Sequence, residues 1–209
     1  ISDVTVAISA TPMAYTDRCT QHGTPFVETY GCPDSAFYHG LNDVQLLNGL
    51  VLPPAITVAN LEKEMASPNS VTKHVIHTFW KAFDGADQGL LLDLTCINTS
   101  AAYNQYQHAQ RIADFMVHKP AVIILNGDGL RLYKPNVPIT KETGVTKYNR
   151  ISAAIEAVEQ ISHLVGVSHV CGERGQSWVS TKRVPTHGIV YPGHRDSSQL
   201  GQAMARLCF

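Results

Sequence analysis

Ala121-Val122-Ile123-Ile124-Leu125-Asn126-Gly127-Asp128-Gly129-Leu130-Arg131-Leu132-Tyr133 is the stretch that decides how this chain folds. Two apolar runs of strand length are joined by a four-residue turn rich in glycine, which is the pattern of a β-hairpin. The same turn could be imagined as a phosphate or sugar loop. It lacks the Lys-Ser/Thr of a P-loop, the three-glycine dinucleotide pattern and a helix directly behind it, so the hairpin reading wins.

Working outward, residues 90–97 read as a second buried strand, and residues 99–117 between the two carry an apolar stripe at helical spacing. That stripe is Ala102, Tyr106, Ala109, Ala113, Met116 and Val117, and Pro120 ends the helix. Strand, helix and strand in succession make a βαβ unit, with a right-handed crossover if the strands are parallel.

Downstream, residues 148–165 are predicted as one amphipathic helix on Ile151, Ala154, Ile155, Val158, Ile161 and Val165. Short strands are predicted at 168–171, 177–181 and 188–191, then a terminal helix at 197–207. Upstream, residues 4–8 suit an opening strand, and helices are predicted at 41–50, 58–66 and 70–83. The last starts at Pro68-Asn69-Ser70 and presents Val71, Val75, Phe79, Ala82 and Phe83 on one face. Residues 11–40 have no clear period and read as an irregular arm or loop. The expected fold is a single domain over 1–209 of mixed α/β class, an α+β or α/β sandwich, with a mixed sheet and about four to five main helices.

Composition narrows the function classes. Only 16% of the 209 residues are Asp, Glu, Lys or Arg, against about 25% in an ordinary domain, and the formal net charge is −1. A charge-poor, near-neutral surface favours association. With 44% hydrophobic residues and a mean hydropathy of −0.06, the chain can bury a core and is not of disordered composition. No apolar window reaches the length of a membrane span, so none is expected. The start at Ile1, without Met or signal-peptide features, is read as processing, excision from a longer polypeptide, or an incomplete start. Intracellular placement is favoured over secretion. The five cysteines are read mostly as buried thiols, with Cys19–Cys32 the one local bridge to consider, and Asn98-Thr99-Ser100 is a glycosylation sequon.

Four constellations could carry chemistry. Gly31-Cys32-Pro33 could set Cys32 at a helix N-terminus, where its thiol pKa falls, with His187 or His194 as base and Asp93 or Asp196 orienting it. The flanks match no cysteine-hydrolase signature, and the plain alternative is a loop cysteine. His74 and His77, three apart on a predicted helix, could hold a metal, but no second ligand pair stands at metal-site spacing and the plain alternative is surface or half-buried imidazoles making ordinary hydrogen bonds. Lys182, Arg183 and Arg195, with His187, His194 and Arg206 nearby and Trp178 and Tyr191 for stacking, make a mildly basic C-terminal segment. A sequence pI near 6.9 and the lack of a basic arm leave nucleic-acid contact possible but not favoured. Finally, ten histidines would make an assembly acid-sensitive if they lie at its contacts.

No cofactor is implied. The expected function is a non-enzymatic assembly subunit, concretely a coat- or capsid-associated component that binds other protein subunits through its charge-poor surface. The alternatives are a hydrolase or transferase using a Cys/His pair, and a nucleic-acid or small-ligand binding module.

Overall fold

In the computed structural model, which describes residues 58–95, 104–143, 146–168 and 176–190, the 121–133 hairpin forms as expected. In chain order the described elements are α1 (Val58–Ala66), α2 (Val71–Asp84), β1 (Gly89–Leu94), α3 (Gln105–Phe115), β2 (Ala121–Asn126), β3 (Gly129–Tyr133), β4 (Thr146–Tyr148), α4 (Ile151–Glu156), β5 (His163–Ser168) and β6 (His187–Val190). The six strands make one mixed sheet in the order β4-β3-β2-β5-β1-β6. β2, β5, β1 and β6 run parallel, and β3 and β4 are antiparallel additions at one edge.

The hairpin corner is Gly127-Asp128, and Gly129 takes the left-handed conformation at φ 107°, which only a residue without Cβ adopts cheaply. The Asn126 side chain accepts the Asp128 N–H at 2.8 Å and closes the turn.

Helices cover both faces. On one, Ile76, Trp80 and Phe83 of α2 and Tyr106, Ala109 and Ile112 of α3 pack on Leu91, Val122, Ile124, Val165 and Val167. On the other, Ile151, Ala154 and Ile155 of α4 and the indole of Trp178 cover Leu90, Leu92, Ile123 and Leu164. Alternate residues of β1, β2 and β5 therefore enter opposite cores, which is why these strands read as continuous apolar runs.

Several sequence expectations are corrected. The helix predicted over 148–165 stops at Glu156, and His163–Ser168 is instead β5, bonded to β1 on one side and β2 on the other. Helical spacing of Ile161 and Val165 misled, because a strand buried on both faces shows no period of two to contradict it. The residue that marks the strand is Gly166: a Cβ there would lie 2.6 Å from the Trp178 ring. Residues 177–181 form no strand; Trp178 is buried and Ser180 N–H closes on Arg183 O at 2.8 Å.

In α2 the inward face is Thr72, Val75, Ile76, Trp80 and Phe83, while Val71 and Ala82 are exposed. The bulk of Trp80 and Phe83 sets the face, and positions 76 and 72 follow by steps of four. The described part of the helix predicted at 99–117 is α3. Asn104 caps it through a capping box with Gln107, and it ends at Phe115, so extended backbone at Met116 turns Val117 out to solvent. The predicted opening strand, the 11–40 arm, the 41–50 and terminal helices, the sequon and all five cysteines lie outside the described residues.

Candidate functional site

Because β2, β5, β1 and β6 are parallel and adjacent, the segments leading into them converge on one edge of the sheet, its amino edge. His163 opens β5, the strand between β2 and β1. The last residue of α2, Asp84, leads into β1, and His118 lies on the short turn leading into β2. The leads of both neighbouring strands thus meet over the start of β5, and one donor atom from each of Asp84, His118 and His163 lies within 4.8 Å of the others.

The His118 and His163 rings stack with centroids 4.8 Å apart and planes 8° from parallel. The Asp84 carboxylate accepts the backbone N–H groups of Val117 and His118, both at 3.0 Å, which ties the end of α2 to the turn after α3. Partial burial pushes the Asp84 carboxyl up, but the N–H groups of Val117 and His118 and the His118 ring pull it further down, so it stays ionised. His118 Nδ1 sits 3.0 Å from the Asp84 carbonyl oxygen and 3.2 Å from Oδ1.

His163 is 1% exposed, with Nδ1 at 2.9 Å from Ser162 Oγ. Its other nitrogen, Nε2, is buried with no hydrogen-bond partner among the described residues. A polar atom left in that condition costs about 1–3 kcal/mol. The Phe83 ring packs edge-on against those of His163 and His187, at 5.2 and 5.3 Å. Burial, and secondarily His163, hold His187 below the usual histidine range. At the surface of this edge stand His118, with 59% of its side chain exposed, Phe115 at 36% and Val117 at 80%.

The opposite, carboxyl edge holds a second carboxylate–imidazole pair. Asp93 of β1 and His108 of α3 are fully buried, with Nε2 3.0 Å from Oδ2. Thr95 donates its N–H and hydroxyl to Asp93 Oδ1, and its hydroxyl lies 3.1 Å from His108 Nε2. Burial alone would raise the Asp93 carboxyl, but His108 and Thr95 outweigh it and hold it below the ordinary value. The Trp80 ring packs edge-on against His108 at 5.5 Å. Further along, Tyr106 OH donates to Asp128 at 3.0 Å and receives Asn126 Nδ2 at 3.3 Å, and Ser168 Oγ donates to the Leu125 carbonyl at 2.7 Å. Both carboxylate oxygens of Asp93 are engaged, so this pair is a joint between β1 and α3.

Of the residues singled out from sequence, Cys32, His194 and Arg195 lie outside the described residues, and His187 lies at the amino edge beside His163. His74 is exposed, whereas His77 turns into an aromatic cluster with Trp80 at 5.2 Å and Phe115 at 4.5 Å. Lys182 pairs with Glu159 at 2.9 Å, and the Arg183 guanidinium folds back onto the carbonyls of Glu159 and Ile161. Asp93, considered only as an orienter for a distant histidine, has His108 as its partner. The sequence reading missed Asp84, His118 and His163. Their only trace is that His118 and His163 stand shortly before apolar runs and Asp84 ends the helix that precedes another, which for parallel strands means a shared edge.

The fold and this cluster define a three-layer mixed α/β sandwich with a histidine-rich amino edge. Comparison with models of known families, with curated proteins and with solved structures found no match. Among the described residues, no helix is long and apolar enough to cross a membrane.

Proposed function

We propose that this chain is a subunit of a protein assembly and that like copies meet at the amino edge around Phe115 and Val117. The observation that carries this reading is the placement of exposed apolar side chains. Among the described residues three large hydrophobics are exposed, and two of them, Phe115 and Val117, lie on the end of α3 and the turn into β2. The third, Val71, begins α2, whereas Val117 is bonded to the residue that ends it, so roughly 20 Å of helix separates them. Two of the three exposed large hydrophobics among the described residues thus stand together at one end.

Composition supports the same reading. With 16% charged residues and a net charge of −1, two copies approach without the long-range repulsion that keeps charged monomers apart. A coat- or capsid-associated component is the concrete form of such a subunit.

The test is sedimentation velocity of the full chain over a rising concentration series. Mass should increase with concentration, and Val117→Asp, at a position too exposed to disturb the core, should move the midpoint at least about tenfold higher. A wild-type chain that stays monomeric throughout, or a variant that associates equally well, rejects the reading. Closed particles in light scattering would separate a coat component from a small oligomer.

A further inference from the structure

We propose that Asp84, His118 and His163 form a binding site for a divalent first-row transition ion of the zinc type. The inference stands apart from the assembly reading, since all three ligands come from one copy of the chain.

Four observations converge. The donor set is two imidazole nitrogens and one carboxylate oxygen, which suits zinc, cobalt or iron(II) and not calcium or magnesium, whose sites are built from oxygen. The Asp84 carboxylate is fixed in place by the Val117 and His118 N–H groups, one on each oxygen, and keeps lone pairs available for a cation. His163, whose ring brings a nitrogen within 4.8 Å of the other two donors, has a buried Nε2 with no hydrogen-bond partner among the described residues, and an ion would supply one. Ser162 then completes the arrangement: with Nε2 as ligand, Nδ1 carries the proton and donates to Ser162 Oγ, which fixes the ring as metal-bound histidines require.

The geometry also says how the site would close. Asp84 ends the 14-residue helix α2 and His163 is set in an interior strand, so these two are fixed by packing. The donor atoms now span up to 4.8 Å, whereas tetrahedral ligands around zinc lie roughly 3.3 Å apart. The donor set must therefore contract on binding, and the exposed His118, on a surface turn, has the room to move. Three protein ligands leave a fourth position on the solvent side, open to water or another exchangeable ligand.

The test is a cobalt(II) titration of the full chain at dilution, followed by visible absorption and by displacement with zinc. One equivalent should bind without a thiolate-to-cobalt charge-transfer band, which excludes the five cysteines as ligands. His118→Ala should weaken binding at least about tenfold, and Asp84→Asn likewise. His74→Ala, which removes an exposed histidine of the pair suggested by sequence, should leave it unchanged. His118 is exposed, so a native circular-dichroism melt for its variant makes that result decisive even if Asp84→Asn unfolds the chain. Failure of either ion to bind below about 1 mM, a thiolate band, or binding of undiminished strength in His118→Ala overturns the proposal.

Discussion

The two edges of the sheet hold the same residue types in opposite conditions. At the carboxyl edge Asp93 and His108 are sealed from solvent, and both carboxylate oxygens and the imidazole Nε2 are hydrogen-bonded. At the amino edge His163 is equally buried but its Nε2 has no partner among the described residues, and its neighbour His118 is open to solvent. A buried polar group whose bonds are all made inside the protein is structure, whereas one left wanting beside exposed donors is a place for something else to bind. The comparison teaches that satisfaction of hydrogen bonds, more than residue identity or burial, separates a joint from a site.

The largest effect should come from breaking the satisfied edge. His108→Ala strands the Asp93 carboxylate without its counter-group and should cost about 3–5 kcal/mol in urea unfolding. Next, Gly166→Ala, in the middle of β5 between the two edges, drives a Cβ into the Trp178 ring and should cost about 1–3 kcal/mol. It measures what strain in the sheet itself is worth, so that an edge effect can be recognised as one.

A smaller effect is the pH dependence of the carboxyl edge. The folded Asp93 carboxyl titrates below its ordinary value of 3.8, so its contribution is present above that pH and fades as pH falls through the lower folded value. Stability of the wild type should drop more steeply on acidification below pH 4 than that of Asp93→Asn, read from urea midpoints at each pH. Equal slopes would show that the pair carries no charge-linked stability.

The smallest effect belongs to the unsatisfied edge. Without metal, His163→Leu removes the orphaned nitrogen along with one bond to Ser162, and should change stability by less than about 1 kcal/mol. If this variant costs as much as His108→Ala, the distinction between the edges fails.

Much of the fold was legible because its signals are local. The β2–β3 hairpin is written in Asn126-Gly127-Asp128-Gly129, and the start of α2 in Ser70, whose side chain accepts the Lys73 N–H. β5 was not legible, since Ile155, Val158, Ile161 and Val165 keep helical spacing across a boundary that only contact with β1, β2 and Trp178 creates. The candidate cluster was less legible still. Asp84, His118 and His163 are far apart in sequence, and no motif links them.

The amino-acid sequence by itself determined that this chain builds apolar strands and amphipathic helices into a mixed α/β core, because turns, caps and apolar runs act over a few residues. Only the tertiary structure decided that β5 lies between β1 and β2, and thereby which acid and which histidines share an edge. Strand order is set by long-range packing, and a side chain's unmet hydrogen bond exists only once its neighbours are in place.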